Sequence, residues 1–293
     1  MTARVRDQDG AQAAGAAIRC RRIETADIPA LALLLSQGFP ARDAAGWQGS
    51  LQRLADWTEG QGLPGMGYVL VDGDRLVGCL LTLYAADGRR CNLSSWHVAA
   101  GYRSFGTILV SAAMRDRTLT YLNISSERAT RPIIEAQGFR RYTGGIVLAW
   151  PLLALSRLCR GEILSEEAAE QAGAEPHELA LMRHHRGFGC IVFWCRAAGR
   201  AYPFVAVRKR IKGALPVAQI IYCAADTPWP QLAGAIGRAL ARHGLFLLLI
   251  DASGALPGLP GRFLPGRMPK YARGPATPRP GDLTYTEAAM IGT

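Results

Sequence analysis

None of the seven cysteines in this 293-residue chain is spaced C-x-x-C from another. Zinc clusters and redox dithiols need tighter spacing. Cys20, Cys79, Cys91, Cys159, Cys190, Cys195 and Cys223 are therefore expected to be reduced small hydrophobes, mostly buried, and no metal is expected. Long apolar runs are missing too. The longest charge-free one, Gly144 to Leu155, contains Pro151 and is too short for a bilayer. The opening "MTARVRDQDG" lacks the apolar core of a signal peptide, so a cytoplasmic protein is expected. No G-x-x-x-x-G-K-[ST] occurs, no G-x-G-x-x-G follows a strand, and no G-x-S-x-G is present. The usual nucleotide motifs and the serine-hydrolase elbow are thereby excluded.

What is present is a folded composition with an excess of arginine. Hydrophobic residues make up 49% and charged residues 19%, which is globular rather than disordered. Lys and Arg number 34 against 23 Asp and Glu, for a formal charge of +11. Such a balance suits nucleic acid, phosphorylated cofactors or a membrane surface, or it is simply a solvated basic surface.

Periodicity gives the order of elements. Residues 1 to 16 are polar and read as frayed. "AIRCRRI" alternates as a half-buried strand. Thr25 is placed to cap a helix bearing Ile28, Leu31 and Leu35, and Trp47, Leu51 and Leu54 mark a second helix. Asp72-Gly73-Asp74 joins two strands as a hairpin. "CNLSSWHVAA", a helix to about Asp116, and "TLTYLNI" then imply a parallel pair with a crossover. A short helix capped by Thr130 ends at Gly138, and "GGIVLAW" is a further strand. Residues 152 to 182 read as a polar helical connector. Three strands follow, then a helix capped by Thr227, the strand "LFLLLID", a Pro/Gly-rich segment from 253 to 281 that is either functional or mobile, and a last strand in "DLTYTEAAM". "AQIIYCAA", "DTPWPQLAGAIGRALARHG" and "LFLLLID" repeat the order of the first crossover, so the chain reads as two copies of one α/β architecture with a mixed sheet. The halves are set at 17–150 and 186–293, with 151–185 between them.

The stretch "HVAAGYRSFGTIL", His97 to Leu109, passes from strand to helix with Arg103 and no acid at the helix start. The backbone dipole favours negative charge there, so an electropositive start suits an anion the chain does not supply. Gly106 allows close approach of backbone and ligand. The histidine pair His184-His185 lacks metal-site spacing and reads as solvated. "VRKRIKG" reads as the exposed end of a hairpin.

These residues resemble the GCN5-related N-acetyltransferase (GNAT) superfamily. Its [QR]-x-x-G-x-[GA] motif reads Arg103-Ser104-Phe105-Gly106-Thr107-Ile108 here, with Ile in the last place. "IRCRRIETADIPALALLLSQGF" is similar to the family's first strand and helix, and "IIEAQGFRRYTGG" to its short helix ending in Gly138-Phe139. The resemblance covers residues 17 to 150. It implies two acyl-CoA N-acyltransferase-like halves, each a mixed, mostly antiparallel sheet flanked by helices, the second degenerate. It also implies acyl transfer from acetyl-CoA or another acyl-CoA to an amine or hydroxyl, without metal. The diphosphate would sit on the N–H groups of 103 to 108, and the pantetheine arm beside His97 and Val98. Asn123 and Ser125 would face the same cleft.

Where family members commonly place a proton-donating Tyr, this chain has Ile134. His97 is the candidate base because an imidazole titrates near working pH, or it is structural; alternation does not decide whether His97 or Trp96 faces the cleft. The basic stretch from Arg262 to Arg279 is expected to cover the acceptor side, which suits an anionic or sugar-like small molecule. The second half offers Asp226 and Pro228 where the first offers Arg103 and free N–H groups, so one coenzyme A per chain is expected. The rival reading is a noncatalytic module whose basic surface engages nucleic acid or another polyanion.

Overall fold

The computed structural model describes residues 18–154, 161–211 and 213–292. The polar start and residues 155–160 of the connector, Cys159 among them, lie outside them. The first half runs β1 (Arg19–Arg22), α1 (Ile28–Gly38), α2 (Ala44–Gly60), β2 (Gly67–Asp72), β3 (Arg75–Tyr84), β4 (Arg90–Val98), α3 (Gly106–Ala113), β5 (Thr120–Asn123), α4 (Arg131–Ala136), β6 (Arg140–Arg141) and β7 (Gly145–Ala149). The second runs β8 (Glu162–Leu164), α5 (Glu166–Gln171), α6 (Pro176–Gly187), β9 (Ile191–Ala197), β10 (Arg200–Ile211), β11 (Leu215–Cys223), α7 (Trp229–Ala241), β12 (Leu248–Ala252), β13 (Gly261–Pro265), β14 (Tyr271–Arg273) and α8 (Glu287–Met290).

The two runs build two seven-stranded mixed sheets of the same design. The orders are β1-β2-β3-β4-β5-β14-β6 and β8-β9-β10-β11-β12-β7-β13. In each, the crossover helix α3 or α7 makes one parallel pair, β4 with β5 and β11 with β12. Each half also lends one strand to the other. Strand β7 pairs with β12 and β13, while β14 pairs with β5 and β6. A cut at residue 150 therefore does not separate the sheets. Backbone N–H and C=O groups left open by one half are satisfied by the other, so neither sheet is complete alone.

Local chemistry explains the elements. Gly73 takes φ +59 in the tight turn where Asp72 pairs with Arg75. Trp47, Leu51 and Leu54 line one buried stripe of α2, and each such side chain contributes about 1.5–3 kcal/mol over the exposed state. That stripe belongs to a core shared with Leu179 and Met182 of α6 and with Leu283 and Met290 near the end of the chain.

Several expectations are corrected. The threonines expected as caps do not cap. The Thr130 and Thr227 hydroxyls donate back to the carbonyls of Glu127 and Ala224. Thr25 sits inside a 3-10 turn whose start is held by the Glu24 N–H donating to Asp27. The connector contains strand β8, because an edge of β9 is open to it. "DLTYTEAAM" gives a single bridge at Asp282 and the short helix α8, not a strand. The segment 253–281 is built into both sheets through β13 and β14. His185 is fully buried rather than solvated. Its Nδ1 shares a hydrogen bond with the Leu181 carbonyl, and its Nε2 accepts from the Tyr285 N–H.

Candidate functional site

Strands β4 and β5 run together only from Arg90–Thr120 to Asn92–Leu122 and then part. The other edge of β4 stays paired with β3 as far as Val98. One edge of β4 is thus left without a strand partner, and a cavity of about 250 Å³ opens beside it. Its walls include Phe39, Ser94, Trp96, His97, Asn123 and Ser125.

A bulge shapes this edge. Ser95 and Trp96 together oppose Leu80, and Ser95 takes φ +51, a strained value for a non-glycine residue. After the bulge His97 and Trp96 point to opposite faces of the sheet, yet both reach the cavity. The His97 ring lies against Phe39, 6.2 Å between centroids, and against Gly38. A Cβ on Gly38 would meet the imidazole at 2.3 Å, so only glycine fits there. Burial, helped by the charge of Arg103, lowers the His97 pKa and keeps its ring neutral. Trp96 lies on the α3 side. A Cβ on Gly106 would stand 3.2 Å from its ring, and the Trp96 indole N–H is buried with no acceptor among the described residues.

Ser94, at the cavity floor, donates its hydroxyl proton to Glu287 of α8. Glu287 is 7% exposed, and its other oxygen, Oε1, has no well-formed hydrogen bond among the described residues. Burial raises its pKa, against the lowering influence of the Ser125 and Ser94 hydroxyls and of Lys270 and Lys209.

The second half has a counterpart cleft, because β11 and β12 part after Ile220–Ile250. There the edge is covered. Beyond that point the opposite edge of β11 pairs with β10 at Val205 and Phe204. The edge left by β12 is taken by the chain itself: Asp282 bridges Tyr222, the Leu283 N–H donates to Ile221, and Arg279 donates to Cys223.

No protein-family model matches the chain, and no curated protein does. Solved structures do. A GCN5-related N-acetyltransferase from Sphaerobacter thermophilus is similar over 92% of this chain and 98% of its own, at 18% identity and TM-score 0.52. Another, from Anabaena variabilis ATCC 29413, matches over 87% and 72% respectively, at 11% identity and TM-score 0.55. A tandem GNAT protein from the clavulanic acid biosynthesis pathway matches over 89% of this chain and 100% of its own, at 14% identity and TM-score 0.50. The fold is that of the GCN5-related N-acetyltransferases, built twice.

On this tandem GNAT fold the residues singled out in the sequence divide into two groups. His97, Asn123 and Ser125 meet in the cavity. Residues 103 to 108 do not line it. Residues 100 to 105 wind as 3-10 turns, and α3 begins only at Gly106. Such turns use backbone N–H groups internally, and that of Gly106 donates to the Arg103 carbonyl. Arg103, Ser104 and Thr107 are exposed, Phe105 is half-buried, and Ile108 faces a different cavity behind α3. Val98 packs on Gly78 and Gly106. Gly106 is thus explained by the indole of Trp96 above it. Within the basic stretch, Arg267 and Lys270 reach a cavity between the halves, while Arg262 lies on β13 at the far edge.

Sequence reasoning left Trp96 open against His97 as the residue facing the cleft, and it missed Ser94 and Glu287. Ser94 and Trp96 were inside the quoted strand, but the bulge that aims them has no local signature. Glu287 offered no signal, since an acid in "YTEAAM" reads as exposed. No helix among the described residues is long and apolar enough to cross a membrane.

Proposed function

We propose that the chain transfers an acyl group from an acyl-coenzyme A to an amine or hydroxyl, without metal. The observation that carries this reading is the uncovered edge of β4 beside the 250 Å³ cavity. An extended, amide-bearing pantetheine arm has the hydrogen-bonding groups to add to such an edge as a strand would. The orphaned Trp96 indole N–H is a buried donor that a ligand acceptor would satisfy. Arg103, which forms no ion pair among the described residues, and the Ser104 and Thr107 hydroxyls would hold the diphosphate at the start of α3. His97, neutral and at the cavity wall, can accept a proton. The second cleft is filled by residues 279–283, which supports one coenzyme per chain.

One observation favours a noncatalytic polyanion-binding module instead: the 3-10 turns before α3 use N–H groups that a diphosphate would need. Calorimetric titration with coenzyme A, with mass spectrometry of the purified protein for carried-over coenzyme, decides between the two. Stoichiometric binding is expected. Affinity for any nucleic acid, falling steeply with salt, with none for coenzyme A, would establish the module.

A further inference from the structure

A second cavity, of about 520 Å³, lies where the halves meet. It shares Ser125 and Ser126 with the cavity beside β4. Its walls come from both halves: Arg128 and Arg131 from the first, Lys209, Arg267 and Lys270 from the second. Against these five cations stands one lining carboxylate, Glu287. Lys270 is committed elsewhere. It is 3% exposed, its Nζ donates to the Ile124 carbonyl at 2.9 Å, and it lies 4.0 Å from the buried Asp251. Arg128, Arg131 and Arg267 form no ion pair among the described residues, and Lys209 has only a long contact, 3.4 Å, to Gln219. Glu287 and Asp251 face the two lysines, whereas the three arginines have no counter-ion among the described residues, and such clustered like charges are the setting in which an external anion is held.

Glu287 marks the other end of this space. Its Oε2 takes the Ser94 hydroxyl on the side of the first cavity, while Oε1 is buried with no well-formed hydrogen bond among the described residues, the Ser125 hydroxyl standing near the carboxylate. A buried carboxylate oxygen without such a bond calls for a donor from a ligand.

We infer that the acceptor is a small anionic amine, an amino acid or an amino-sugar phosphate, bound in the cavity between the halves. Its carboxylate or phosphate meets Arg128, Arg131 and Arg267, and its ammonium meets Glu287. This rests on the acyl-transfer reading above. The ammonium gives one proton to the Glu287 carboxylate, and its freed lone pair forms the bond to the thioester carbonyl carbon. The C–S bond then breaks, its electron pair leaves on sulfur, and the second nitrogen proton ends on that thiolate. Products are the amide and free thiol, with one proton passed from Glu287 to water. His97 lines the first cavity and is not needed for this step.

The test has two independent arms. Calorimetry with inorganic phosphate is run on the chain saturated with coenzyme A, so that the diphosphate site is filled. Binding is expected, weakened about tenfold or more by Arg128→Gln with Arg267→Gln, both exposed positions that leave the core untouched. Absent phosphate binding, or binding indifferent to the two substitutions, overturns the anion site. Failure to bind coenzyme A defeats the acyl-transfer reading instead, and the phosphate arm is then read on the chain alone.

The second arm follows thiol release from acetyl-CoA with glutamate, 4-aminobutyrate and glucosamine 6-phosphate, each beside its neutral amide or unphosphorylated counterpart. Preference for the charged member is expected, and which pair responds separates carboxylate from phosphate. Equal rates within every pair, or turnover with the neutral members only, overturn the inference. No turnover with any member, by a chain that binds coenzyme A, overturns it for these two classes. Glu287→Gln should retain coenzyme and phosphate affinity, lose about 10²-fold or more in turnover and lose the acidic limb of its pH profile. His97→Gln should keep that limb. Unchanged turnover in Glu287→Gln removes its role.

Discussion

The two clefts of this molecule have the same construction and opposite fates. In each, a crossover helix joins two parallel strands that part after three paired positions. In the first half the freed edge of β4 borders a cavity. In the second, the freed edge of β11 is covered by Arg279, Asp282 and Leu283. The covering segment then continues into α8 and delivers Glu287 to Ser94 in the first half. The difference teaches that in the second half the chain itself occupies the edge that the first half leaves open, and that the same segment places a carboxylate in the first cleft. The reciprocal lending of β7 and β14 makes this geometry rigid, since neither half can shift without breaking the other's sheet.

The comparison breaks most severely at the pair that pins the covering segment to the first half. Arg90 of β4 forms a 3.0 Å salt bridge with Asp282, and both side chains are about one-fifth exposed. Asp282 is held below its usual pKa despite burial, because the Arg90 charge and the hydrogen bonds of Arg90 and Thr284 outweigh it. Arg90→Met takes away the charge partner and leaves that carboxylate only its Thr284 donors, so denaturant unfolding should show a loss approaching about 3–5 kcal/mol. Asp282→Asn should cost less. A negligible effect of both would mean that the segment is not anchored there.

Acid should loosen the same segment through His185. Its Nε2 accepts from the Tyr285 N–H, at the turn into α8, where Tyr285 takes φ +56. Burial lowers its pKa from 6.5 to about 4. His184 and Arg90 also oppose a proton there, the Leu181 carbonyl and Asp282 favour it, and burial prevails. The unfolded chain therefore binds more protons than the folded one between these values. Stability should be complete above about pH 6.5 and fall toward about pH 4 by as much as ~1.4 kcal/mol per unit from this group. Unfolding midpoints across that range test it, with His185→Asn expected to flatten the slope. An unchanged slope would assign the pH dependence to other groups.

Much of the fold was legible because its signals are local. The α2 stripe, the Asp72-to-Asp74 hairpin and the two crossovers follow from spacing alone, and so did the duplication. The strand exchange was not legible. Tyr271–Arg273 is three residues inside a Pro-, Gly- and Arg-rich stretch, and its partners at Tyr121–Asn123 are far away in sequence. The site was half legible. His97, Asn123 and Ser125 line one cavity, the last two placed at the cleft by the resemblance and not by strand pattern, whereas the start of α3 was read too early because nothing local separates 3-10 from α turns at 100–105. A single coenzyme per chain was expected from Asp226 and Pro228, which spoil an anion site; that Asp282 and Leu283 cover the second cleft by backbone pairing had no signal in the sequence.

The reading of Gly106 changes the expected outcome of Gly106→Val. Taken only as room for a ligand to approach the backbone, Gly106 would lose a diphosphate contact on substitution and leave the fold untouched. In the structure the added methyls meet the Trp96 ring, since the first carbon already stands 3.2 Å away. Overpacking should cost about 1–3 kcal/mol and shift Trp96 fluorescence. Coenzyme affinity should fall because Trp96 is displaced into the cleft. Trp96→Ala in the same chain should restore stability and part of the affinity. Failure of the double variant to recover either would return Gly106 to direct contact with the ligand.

The smallest expected effect is the sharpest test of why the second cleft is closed. Two explanations compete: the carboxylate of Asp226 repels a diphosphate, or the chain's own segment already occupies the β11 edge. Asp226 and Arg200 form an exposed ion pair, with side chains 57% and 52% exposed, so Asp226→Arg should change stability by less than about 1 kcal/mol. It also supplies at the second cleft the positive charge that Arg103 supplies at the first. If charge alone closed the site, calorimetry would move from one coenzyme per chain toward two. Because the backbone of Ile221 and Tyr222 stays engaged by Leu283 and Asp282, and Pro228 still lacks an N–H to offer an anion, the stoichiometry should remain near one. A value near two in Asp226→Arg would show that the covering segment yields to a ligand, and would make the second cleft a site held shut by one carboxylate.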